Sequence, residues 1–160
     1  MGIEFAPDLL ATIVQDSEKA YPHEACGLVF GRDGAATAVF PMQNVYDRYH
    51  RLDPSRFPRD SRTAYKMDEL KVMNLVDDAA RRGERLVCIY HSHNDVGAYF
   101  SAEDKAVALA DGGEPLWPGT SYLVVSVRNG RADGAVLFDW NGSDFAGAAQ
   151  PLPGVDASRG

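Results

Sequence analysis

Cysteine is scarce in this chain: two in 160 residues, Cys26 and Cys88, with no CxxC pair. That excludes a disulfide framework. The two read as buried, reduced thiols of a cytoplasmic protein, with a redox bridge between them as the alternative. Long apolar runs are absent as well. No stretch of about 18 apolar residues occurs, so no membrane span is expected. The opening MGIEFAPDLL lacks a basic region followed by an apolar block, so no secretory signal is expected. Residue 6 is Ala, where a myristoylation signal needs Ser or Thr. Positive charge is in short supply, with a net charge of −7. Nucleic acid is therefore not expected as a partner, because phosphate binding needs clustered Lys and Arg.

What is present is enough for one domain. Apolar residues make up 45%, which argues for a packed core rather than disorder. Charge is uneven: residues 47–66 hold six basic and three acidic side chains, about +3, leaving about −10 elsewhere.

The pattern along the chain alternates strands and helices. Ile3 and Phe5 suggest a short first strand. Pro7 suits a helix start, and Leu9, Leu10, Ile13 and Val14 have helical spacing, so a helix is expected over about 7–20. CGLVFG and ATAVFPM flank the turn GRDG and predict a hairpin. Residues 44–65, with Pro54, Pro58 and five arginines, read as a long surface loop without periodicity. MDELKVMNLVDDAARRG predicts a second helix with Leu70, Met73, Leu75 and Val76 on its apolar side. RLVCIYHS reads as a buried strand, and Ser101 precedes a third helix over about 102–110. SYLVVSV and ADGAVLFDW, joined through Asn129-Gly130, predict a second hairpin. From about 143 to 160 the composition suggests a flexible tail, leaving 1–142 as the domain. The order β-α-β-β-loop-α-β-α-β-β predicts an α/β domain, a mixed central sheet flanked by helices.

One segment concentrates chemistry: HSHNDVGAYFSAED, residues 91–104. His91 and His93 are two apart at a strand end and so point the same way. Asp104 falls in the first turn of the next helix, which the 94–100 loop can fold back over the strand. Two imidazoles and a carboxylate make a three-ligand zinc set with a fourth position open to water. Glu24 is the candidate proton acceptor, and Ser101 a candidate donor to an oxyanion. Each residue also has a plain reading. Exposed histidines often bind nothing, Ser101 and Asp104 suit a helix cap, and a lone Glu24 suits a solvated surface.

Taken together, H-x-H, seven residues and S-x-x-D resemble the signature of JAMM (MPN+) metalloproteases. PHEACGL resembles that family's E-x-C-G-L segment, FPMQN its P-x-x-N return strand, and SYLVVSV the strand after the motif helix. The resemblance spans roughly residues 3–140. It implies a JAB/MPN, cytidine-deaminase-like fold with one zinc ion per chain. His91, His93 and Asp104 would be its ligands, Glu24 the general acid/base and Ser101 the oxyanion helper. It also implies cleavage after the C-terminal glycine of a ubiquitin-like protein; compact prokaryotic members resemble enzymes acting on sulfur-carrier proteins with a Gly-Gly end. Asn94 departs from the family's proline, which leaves the stiffness of the loop open. The arginine-rich insert is longer than expected.

Two further readings concern the partner. Val96, Tyr99 and Phe100 either border a cleft for the glycine tail or pack beneath the helix. Arg48, Arg51, Arg56, Arg59 and Arg62 either meet an acidic partner face or are simply solvated. Oligomeric state is open, a homodimer included. Among other functions, a zinc deaminase would need H-x-E and P-C-x-x-C, which are absent. A DNA-repair-associated relative with a similar HxH fits poorly with the acidic balance. A catalytically silent scaffold remains the non-enzyme alternative.

Overall fold

The computed structural model describes residues 3–155. The ends of the expected domain and tail, residues 1–2 and 156–160, lie outside the described residues.

Pro7 opens α1 (Pro7–Ala20), where its missing N–H leaves no helical bond unmade. Leu10 and Ile13 are buried, and Pro22 ends the helix by holding Tyr21 at ψ 133°. The chain then forms the hairpin β1 (Cys26–Arg32) and β2 (Ala35–Met42). A short helix α2 (Tyr46–Leu52) and a longer α3 (Glu69–Arg81) follow. β3 (Arg85–Asn94), α4 (Ala102–Ala108), β4 (Ser121–Arg128), β5 (Arg131–Trp140) and β6 (Phe145–Ala149) complete the domain. Asn129 and Gly130 take φ values of 50° and 82°, as the primed turn between β4 and β5 requires.

The six strands form one mixed sheet in the order β2-β1-β3-β4-β5-β6. All neighbours are antiparallel except β3 and β4. α1 covers one face, over Val29, Tyr90, Leu123 and Val125. α3 and α4 cover the other, over Leu28, Phe30 and Ile89. Tyr90 ties the first face together by donating its hydroxyl to Asp16 of α1 at 2.7 Å. Among the described residues no helix is long and apolar enough to cross a membrane.

Four local expectations are corrected. Ile3–Phe5 is not a strand; Glu4 makes a single bridge to Ala35 at the start of β2, because the chain turns into α1 at Pro7 before pairing can extend. The 44–65 segment is not an irregular loop. It contains α2, anchored by Tyr46 and Tyr49 against Phe57, with ring centroids 5.8 and 5.1 Å apart. Those aromatics are too few and too far apart in sequence to register as a period. On α3, Leu70 and Met73 are exposed; the inward face is Val72, Leu75, Val76 and Ala79, the true i, i+3, i+4, i+7 set. Residues 145–149 of the expected tail form β6, where small residues suit the packing: a Cβ on Gly147 would lie 2.7 Å from Phe138.

Candidate active site

The site grows from the one parallel strand pair. Antiparallel neighbours join through a short turn, but parallel ones need a crossover. The chain between β3 and β4 must therefore return across the sheet, and α4 rides on that return. Asp104, in the first turn of α4, is thereby carried back over the end of β3, where His91 and His93 share a face. The open end of a parallel pair is also where α/β sheets place their ligands.

The three side chains meet closely. His91 Nε2 and His93 Nε2 are 3.2 Å apart. Asp104 Oδ2 lies 3.1 Å from the first and 3.2 Å from the second. His91 is fully buried and the other two nearly so. His93 Nδ1 donates to the Gly97 carbonyl at 3.1 Å, since a carbonyl only accepts, and this leaves Nε2 as a lone pair. Burial pushes the His91 pKa down, against the opposing pull of Asp104, and so favours the neutral ring. Burial alone would raise the Asp104 carboxyl, but its close contacts with the two imidazoles and the Ser101 N–H outweigh it and hold it well below the usual range. Electron-rich atoms thus crowd a space about 3 Å across. Ligands about 2.0–2.1 Å from a shared tetrahedral ion are separated by about this much. The donor set therefore fits a zinc-type metal.

Ser101 and Asp104 form a capping box: Ser101 Oγ accepts from the Asp104 N–H, and the Ser101 N–H donates to Asp104 Oδ2, each at 3.0 Å. The capping reading of both residues is thus correct, and the same bonds aim Asp104 at the histidines. Because Ser101 Oγ is the acceptor here, its own proton is free to donate elsewhere.

Glu24 reaches the site through strand register. Cys26 faces His91 across β1 and β3, which puts Glu24, two residues earlier, beside His93. Its carboxylate groups with the two imidazoles within 4.8 Å, a looser spacing than Asp104 has. Backbone bonds pin it on every side. Glu24 N–H donates to Ser61 O at 2.7 Å, Asn44 Nδ2 donates to Glu24 O at 3.0 Å, and Ala25 N–H donates to Ser92 Oγ at 2.8 Å. The carboxyl itself is buried, and Oε1 has no partner. Burial, then repulsion from Asp104, pushes its pKa up to about 9. Glu24 is therefore not a solvated surface carboxylate.

The 44–66 segment supplies residues that sequence reasoning missed. Asn44 bonds four more backbone groups besides: it donates to Ala64 O and more weakly to Ser61 O, and accepts from Tyr46 N and Lys66 N. Its P-x-x-N pattern was the one available signal. Ser61 has none; its hydroxyl and N–H donate to Asp47 at 2.7 and 2.8 Å, and its Oγ meets His23 Nδ1 at 2.6 Å. Tyr65 stacks on His91 with centroids 4.5 Å and planes 23° apart.

The remaining expectations divide. Phe100 packs beneath the helix against Tyr122, Phe138 and Phe145. Tyr99 is half exposed and meets the His93 ring edge-on at 4.8 Å, so it borders the site. Asn94 recovers by a bond what it lacks in ring stiffness: Nδ2 donates to Pro22 O at 2.9 Å. Cys26 and Cys88 are both buried and free, with no bridge between them. Of the arginines, Arg59 pairs with Glu103 of α4 at 2.6 Å, and Arg62 with Asp60 at 3.0 Å. Next to Asp104 opens a mainly apolar groove of about 850 Å3, walled by Phe57, Tyr65, Val72, Val107 and Trp117.

Comparison with known proteins agrees with this geometry. A model of prokaryotic homologs of the JAB domain matches residues 6–140. CysO-cysteine peptidases from Mycobacterium tuberculosis and Mycobacterium bovis are 32% identical over 125 residues, covering 76% of this chain and 71% of theirs. A solution structure of a protein from Salinibacter ruber superimposes with a TM-score of 0.60 at 25% identity, covering 96% of this chain and 95% of that one. A JAB1/MPN domain protein from Archaeoglobus fulgidus shares the fold at a TM-score of 0.53 and 13% identity, covering 95% and 96%. On the family match over nearly the whole domain, this chain belongs to the prokaryotic JAB-domain family.

Proposed function

We propose that this protein is a zinc-dependent peptidase or isopeptidase that cleaves after the C-terminal glycine of a sulfur-carrier or other ubiquitin-like protein. The observation that carries the reading is the tight His91–His93–Asp104 triangle beside an unpartnered, buried carboxyl on Glu24. Bound there, zinc would supply Lewis acidity, which brings the pKa of water to about 7. His91, His93 and Asp104 hold the ion. Glu24 takes the proton of the attacking water and hands it to the departing amine. The free Ser101 proton is donated to the oxyanion that develops on the scissile carbonyl. The apolar groove receives the chain leading to that carbonyl, and a Gly-Gly end suits the approach to a buried centre because glycine lets backbones come close. The name of the mycobacterial relatives favours a sulfur-carrier protein over ubiquitin. A cytoplasmic location belongs to the same proposal and agrees with two free thiols.

Elemental mass spectrometry of the purified protein is the first test. One zinc per chain, lost in His93→Ala, supports the reading; a carrier protein bearing a C-terminal amino-acid adduct should then be hydrolysed by wild type and not by Glu24→Gln. A wild-type protein that takes up no zinc after reconstitution would instead be a silent scaffold.

A further inference from the structure

We infer that Tyr65 is the positioning residue for His91, holding its imidazole by face-to-face stacking where the ring's Nδ1 has no hydrogen bond to do so. The inference rests on the metal reading of the triangle and deepens it. A histidine that binds a metal ordinarily donates its other ring N–H to a partner, which fixes the ring's orientation. His93 follows that rule through the Gly97 carbonyl. His91 does not: its Nδ1 is buried and has no partner. Rotation of that ring has to be limited by packing instead. Tyr65 covers its face at 4.5 Å, nearly parallel.

The stack is itself fixed from behind. Asn44 grips the chain on both sides of Tyr65, donating to Ala64 O at 3.0 Å and accepting from Lys66 N at 3.2 Å. The backbone that carries the phenol ring therefore cannot shift far without breaking bonds that also hold the Glu24 carbonyl. Tyr99 provides a built-in contrast. It meets His93 edge-on at 4.8 Å and is half exposed, but its histidine is already held by Gly97. Loss of Tyr99 should leave the metal site unchanged, whereas loss of the Tyr65 face should loosen it.

The test compares wild type, Tyr65→Phe, Tyr65→Leu and Tyr99→Leu. Zinc affinity is measured by competition with a chelator, and the cobalt-substituted proteins are read by their visible spectra. Tyr65→Leu should bind zinc 10–100-fold more weakly, the usual loss when a ligand's support is removed, and should shift the cobalt bands. Tyr65→Phe, which keeps the face, and Tyr99→Leu should match wild type in both readouts. Tyr65→Met, also non-aromatic but unbranched, carries the same expectation if the leucine variant does not fold by circular dichroism. Wild-type affinity and spectrum in the leucine or methionine variant would overturn the inference. So would a phenylalanine variant as weak as either, since the hydroxyl rather than the ring face would then matter. A wild-type protein that binds neither zinc nor cobalt would overturn the metal reading itself, a result distinct from both.

Discussion

The site has two halves of different construction. One is the continuous piece 91–104, in which a strand, a loop and a helix start carry His91, His93, Ser101 and Asp104. The other is Glu24 with the 44–66 segment, joined by bonds between residues far apart in sequence. In the first half, strand alternation and a capping box set the geometry locally. In the second, the position of one carboxyl depends on Asn44 and Ser61 arriving together. On the proposed reading the metal's ligands therefore reside in the first half, with Tyr65 alone reaching across to steady His91, and proton handling resides in the second.

The largest effect that would sharpen this division is expected from Asp104→Asn. It removes a charged ligand, so zinc affinity should fall by more than the about 100-fold that disturbing a ligand's partner costs. Near-native affinity by chelator competition would put the third ligand elsewhere, with Glu24 as the candidate. Next comes Glu24→Gln, which should keep zinc and lose about 10²–10⁴-fold in kcat. The same variant has a pH signature in the metal-free protein. Folding raises the Glu24 pKa from 4.5 to about 9, so the folded state binds the extra proton. Stability from this group is complete below about pH 4.5 and is lost as pH rises through 9. Thermal unfolding of metal-free wild type should weaken across that range, and Glu24→Gln should flatten the decline. Parallel profiles would mean Glu24 is not held in its neutral form.

A smaller effect is expected at the joint between the halves. Asn44→Ala leaves several backbone groups without partners and should lower stability by on the order of 3 kcal/mol in urea titration. Its kcat should fall further than its zinc affinity; the reverse order would break the division. The smallest effect concerns the surface. Arg51 and Arg56 are exposed and, among the described residues, take part in no salt bridge. Reversing both charges should slow cleavage of a folded acidic partner a few-fold at low salt and spare a short peptide. Equal slowing of both substrates would remove the arginines from partner recognition.

The same division explains what could be read from sequence. From α1 to β5, α2 excepted, the order of helices and strands followed periodicity, and α1 began and ended where its prolines indicated. The convergence of His91, His93 and Asp104 was legible because they lie within one strand-loop-helix unit whose spacing is fixed by local geometry. Glu24 was legible as a residue through E-x-C-G-L, but its burial was not, since that depends on Ser61 and Asn44 closing over it. Tyr65 left no signal at all: a lone aromatic among arginines has no period. The same holds for α2, whose anchoring contact comes from Phe57, five residues beyond its end. β6 escaped notice because its small residues fit against Phe138 and Val136 rather than showing strand propensity.

Asp104 Oδ2 accepts the Ser101 N–H while facing both imidazoles. On the proposed metal reading, one oxygen serves both the start of a helix and a bound cation, which links two equilibria. Ion capture and the ordering of the α4 amino terminus must favour one another to the same extent, since linkage between two processes is reciprocal. Amide exchange in the first turn of α4 then becomes a gauge of ion occupancy that needs no substrate.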